Sequence, residues 1–249
     1  MLNLVYGHWL KTKRTPIRWL SIVLPIVYAS VLFGYFEVVH PGSFVIQEQI
    51  HGLFLFFSIA MMFCLSFYIP MIYGLEKEAG NFGELRIGVS RNILWISHLL
   101  FIWLLVISIT LLMTTCFIGF HLLIQTNLSN LFIRHFMLIP VICSLPLIIL
   151  YQCLSLLSSY VGAILVGSIL TLSGILLGTT DLGNAIWYYL PWVWPIKLTH
   201  RYVFQLASTP LMAKEYAMLL GLTVVLGICL LAGVLFWYNR WEGTSSLEE

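Results

Sequence analysis

Between Phe136 and Thr180 the chain runs for 45 residues without one Asp, Glu, Lys, Arg or His. At a water-exposed surface, helices and sheets set an apolar face against a polar one, and this stretch has too little polarity to do so. A bilayer core about 30 Å thick takes about 20 residues as helix, so the run is long enough for two crossings. Inside lipid every backbone N–H and C=O must be satisfied within the segment, which selects helix. The expected break is "LSSYVG" (157–162), where serines and Gly162 permit a tight turn.

The rest of the chain repeats the pattern. Hydrophobic residues make up 60% of it, against about half in soluble domains, and the mean hydropathy is +0.97. Six windows are apolar over a bilayer's thickness: 17–39, 50–74, 93–118, 136–158, 161–180 and 215–238. The fold class predicted is an all-α integral membrane protein with six transmembrane helices, forming one domain over 1–242. Residues 243–249 read as a polar tail or an expression remnant. The first apolar run is too long for the core of a cleavable signal peptide, so none is expected. The five cysteines (Cys64, Cys116, Cys143, Cys153 and Cys229) all lie in apolar runs. None has metal-ligand spacing, and they read as small buried hydrophobes. A net charge of +2 gives no reason to expect a nucleic-acid partner.

Orientation follows from the basic residues of the connections. With the N-terminus inside, eight fall on the inner side (Lys11, Lys13, Arg14, Arg18, Lys77, Arg86, Arg91 and Arg240). Four fall outside (Arg134, Lys197, Arg201 and Lys214). Both termini are therefore expected in the cytoplasm. At the N-terminus, Leu2, Val5, Tyr6, Trp9 and Leu10 share one helical face ahead of a lysine pair, the pattern of a helix lying in the inner membrane interface.

Ion-coupled carriers keep ionisable groups within their spans. Here Glu37, His51 and His98 lie near span ends, and the deepest polar groups are mild: Ser58, Ser66, Gln152 and Ser155. No phosphate-binding G-x-x-x-x-G-K-[ST] loop occurs. The chain therefore reads as no enzyme, and energy for any transport cycle is expected from a partner.

Three segments stand out. Of the 22 charged residues, six lie between Glu76 and Arg91. There Leu75, Ala79 and Phe82 form an apolar stripe beside Glu76 and Glu78, with the two glutamates expected near a helix start, where the dipole favours them. The plainer alternative is that charge simply caps an inner loop, although three glutamates add nothing to the topology. In the fifth span, Ala163, Gly167, Thr171, Gly174 and Gly178 make a small-residue face, suited first to packing within the chain and second to a dimer contact. Between the fifth and sixth spans lie Trp187, Tyr188, Tyr189, Trp192 and Trp194, an interfacial belt by default and a candidate lining of an exit path.

The layout resembles the ABC-2 type permeases: six spans, an N-terminal interfacial helix, and "LEKEAGNFGELRIGVSR" (75–91) between spans two and three. Within that family, "WLKTKRTPIRWLSIVLPI" and the short chain look most like permeases of lantibiotic-protection (immunity) transporters, which resemble bacitracin-resistance permeases as well. The resemblance implies a bacterial cell membrane, and an ATP-driven exporter that removes a lantibiotic-type peptide or another amphipathic or lipid-like substrate. It implies a separate ABC ATPase subunit carrying ATP and Mg, a second permease (identical or paralogous), and membrane lipid as partners, with no cofactor in this chain. It assigns ATPase coupling to Leu75, Glu76, Lys77, Glu78, Ala79, Gly80, Asn81 and Phe82, and places a short re-entrant or surface helical element before the last span. A glutamate-type intramembrane protease is a weaker likeness: "FIGFH" (117–121) fits its F-x-x-x-H, but its Glu-Glu pair is replaced by Glu76-Lys77-Glu78.

Overall fold

The computed structural model describes residues 2–39, 46–78, 90–123, 130–206 and 211–240. Eight α-helices account for nearly all of them: α1 (Leu2–Lys11), α2 (Pro16–Val39), α3 (Ile46–Glu78), α4 (Arg91–Leu123), α5 (Asn130–Leu157), α6 (Tyr160–Thr179), α7 (Trp194–Leu206) and α8 (Leu211–Tyr238). No strand occurs among the described residues. Helices α2, α3, α4, α5, α6 and α8 are long and apolar enough to cross a membrane. By length and composition this is a multi-pass helical membrane protein. Prolines lie inside α2 (Pro25), α3 (Pro70) and α5 (Pro140 and Pro146), as membrane helices tolerate when neighbours re-satisfy the backbone.

Helix α3 is the centre of the bundle. It packs against α5, α6 and α7, while α2 lies on α4, and α8 lies on α5. Leu53, Phe54, Met62, Leu65 and Ile69 of α3 are all buried. The outer helices expose apolar side chains such as Val23, Val31, Ile169, Leu172 and Ile228. Exposure on that scale is a liability in water and is what lipid accepts.

Ser158 and Ser159 alone separate α5 from α6. The Ser158 hydroxyl donates back to the Leu154 carbonyl (2.6 Å), and the Ser159 hydroxyl accepts from the Gly162 N–H (3.3 Å). The first ends one helix and the second caps the next. Gly162 itself sits inside α6, so the serines rather than the glycine build the turn.

The small-residue face of α6 is its buried face: Ala163, Gly167, Thr171, Gly174 and Gly178 all point inward. A β-carbon at Gly167 would overlap Ser66 of α3, and one at Gly178 would lie 2.6 Å from Ile196 of α7. Close backbone approach within the chain thus accounts for Gly167, Gly174 and Gly178.

Candidate functional site

One end of the bundle gathers α1, the last turn of α3 and the first turns of α4. A helix C-terminus carries partial negative charge and disfavours a carboxylate. Glu76 nevertheless lies in the last turn of α3, with its side chain only 9% exposed. The expectation that Glu76 and Glu78 sit near a helix start is therefore corrected. α3 runs unbroken through Gly74 to Glu78, which leaves both at the unfavourable dipole end.

Lys11 of α1 and His98 of α4 compensate Glu76. Its Oε1 lies 3.1 Å from His98 Nε2 of α4, 3.4 Å from Lys11 Nζ and 3.7 Å from His8 Nδ1, both of α1. The rings of His8 and His98 face each other with centroids 3.9 Å apart. Tyr73 stacks on His98, and Phe101 closes the far side of His8.

The ring of His8 is held by a second helix. Ser97 Oγ lies 2.9 Å from His8 Nε2 and gives its own proton to the Leu94 carbonyl at 2.7 Å. Ser97 thus ties the His8 ring to the backbone of α4. Burial first, and then His98, push the His8 pKa down to about 3, against the pull of Glu76. His8 Nδ1 is buried, makes no hydrogen bond and lies 3.7 Å from a Glu76 carboxylate oxygen.

The remaining coupling candidates are placed unevenly. Leu75 packs against the core, and Lys77 is exposed. Glu78 ends α3, and its side chain lies outside the described residues, as do Ala79, Gly80, Asn81 and Phe82.

At the opposite end, the aromatic segment is partly core. Trp187 and Trp194 are buried, and Trp194 Nε1 donates to the Trp187 carbonyl at 3.0 Å. Trp192 is half-buried against the core. Tyr188 and Tyr189 are the exposed members, with Tyr188 Oη 3.4 Å from Arg201. Helix α7 lies against α3, α5, α6 and α8, and its Lys197 donates to the Thr180 carbonyl at 3.0 Å. Trp187 and Trp194 therefore hold α7 in place, leaving the two tyrosines as the surface of this segment.

His121 lies near the other end of α4, packed on Phe117 and Phe33. The 23 residues from His98 to His121 span about 35 Å of helix, so His121 is remote from Glu76. Sequence reasoning missed the pairing of His8 with His98 around Glu76. The available signal was general: an ionisable group at a span end requires a partner. Comparison of the chain with known protein families, curated proteins and solved structures found no match.

Proposed function

We propose that this chain is the membrane-spanning subunit of an ATP-driven exporter of the ABC-2 type, moving a lantibiotic-type or similar amphipathic peptide out of the membrane. The observation that carries the reading is the locked junction of α1, α3 and α4 at His8, Glu76 and His98. The charged connection between α3 and α4 leaves from this junction, so force applied there reaches two spans at once. Helix α3 in turn touches α5, α6 and α7, so the force spreads through the bundle. Energy enters through a separate ATPase docked on that connection from the cytoplasm of a bacterial cell. A second permease, identical or paralogous, completes the path. In this reading Lys77 and the segment beyond it make the contact, while Glu76 transmits it.

The test is affinity purification of the chain from its native membrane, with co-purifying ATPases identified by mass spectrometry. The wild type is expected to bring down one ABC ATPase, and the double variant Glu78→Ala, Phe82→Ala to lose it at equal expression. Absence of any such ATPase from the wild type overturns the reading.

A further inference from the structure

We propose that His8, Glu76 and His98 form a binding site for a divalent transition-metal ion of the Zn2+ class. The site is independent of the transport reading, since it stands on the geometry of three side chains.

The ligand types fit. Two imidazoles and one carboxylate make a donor set that Zn2+ accepts, with water as the fourth ligand. Each residue comes from a different helix, and the three ligand atoms lie within 4.8 Å of one another. Bonds of about 2.0–2.1 Å in a tetrahedron place ligand atoms about 3.3 Å apart. Glu76 Oε1 stands 3.1 Å from His98 Nε2 and 3.7 Å from His8 Nδ1, on either side of that value. The third edge, from His8 Nδ1 to His98 Nε2, is within 4.8 Å, and ion binding draws the two imidazoles together.

The second observation is the setting of His8. Its Nε2 lies 2.9 Å from Ser97 Oγ, while Nδ1 is buried without a hydrogen-bond partner and faces the Glu76 oxygen at 3.7 Å. A buried polar atom left without a partner is costly, and an ion at this point supplies one. With Nδ1 on the ion, the Ser97 contact at Nε2 serves as the outer contact that fixes the ring of a metal-bound histidine. His98 binds through Nε2 as its Nδ1–H tautomer. Lys11, whose ammonium group shares the same Glu76 oxygen and is 45% exposed, lies on the solvent side and swings away as the ion enters.

A bound ion cross-links α1, α3 and α4. Mg2+, which prefers all-oxygen octahedral ligands, is excluded by the two imidazoles.

The experiment is Zn2+ titration of the purified, chelator-stripped chain in detergent, without a histidine tag, using a competing chromophoric chelator. The wild type is expected to take up one Zn2+ per chain and to ignore Mg2+. His8→Ala and His98→Ala are each expected to weaken binding at least ten-fold, while His200→Ala leaves it unchanged. Hydrogen exchange across residues 2–11 should slow on Zn2+ addition in the wild type and not in His8→Ala. Because His8 lies on the peripheral helix, that variant keeps the test informative if His98→Ala does not fold. No stoichiometric uptake by the folded wild type, or equal affinity in the His8→Ala variant, overturns the proposal.

Discussion

Ser66 of α3 lies so close over Gly167 of α6 that no β-carbon fits between them. Gly167→Ala must therefore push two spans apart. Overpacking of this kind costs about 1–3 kcal/mol, and the expected outcome is a matching fall in thermal stability in detergent. Gly221→Ala in α8 is the control, because a β-carbon there meets nothing within 4 Å. It is expected to be neutral or to stabilise by up to about 1 kcal/mol. Equal behaviour of the two variants would contradict the packing described.

Glu76 and His98 are expected to be coupled. Removing either partner strands the other in a buried position, so each single substitution should cost more than half of what the pair costs. A double-mutant cycle of Glu76→Gln and His98→Ala, followed by thermal unfolding in detergent, should return a coupling of about 0.5–3 kcal/mol. Strict additivity would show that the contact carries no energy.

The junction of α1 with α2 has its own fastening. Arg18 donates to the Trp9 carbonyl at 2.6 Å, and its guanidinium lies 4.1 Å above the Trp9 ring. Arg18→Met keeps the apolar stem and loses both contacts. Hydrogen exchange over residues 2–11 should quicken several-fold, with spans α3 to α6 unaffected. Unchanged exchange would mean that α1 is held by its other contacts alone.

The aromatic segment divides into core and surface. Trp194→Ala is expected to cost about 3–5 kcal/mol, as for large buried aromatics, and Trp194→Phe about 1 kcal/mol for the lost hydrogen bond. Tyr189, which is 81% exposed, should change stability by less than about 0.5 kcal/mol when replaced by Ala. In the proposed export role, Tyr188→Ala with Tyr189→Ala lowers tolerance to the peptide at unchanged expression. Unaltered tolerance would remove the tyrosines from the path.

The six long helices were legible because a bilayer's thickness and backbone hydrogen bonding leave few alternatives for apolar runs. The inward face of α6 was legible for a similar reason: three glycines at helical spacing offer close approach and little else. The end of α3 was not. Gly74 and the charges after it suggest a new helix, yet one glycine costs only about 1 kcal/mol in a helix. The packing of Tyr73 and Leu75 against the core favours continuation. Nor did the apolar face of α1 reveal how that helix docks. Its Tyr6, Trp9 and Leu10 remain exposed while His8 turns inward, where it meets Ser97 of α4, 89 residues away along the chain. Such pairings depend on tertiary approach, which a local pattern does not encode.

Two serines between α5 and α6 leave no slack in the chain. The helices cannot slide past one another, since a shift of even one turn would need more backbone than Ser158 and Ser159 supply. Any change in their relation is an angular one, pivoting at that clasp and widening towards the far end, where Gly178 meets Ile196. The lever arm of such a pivot is the full length of α6, about 30 Å for its 20 residues.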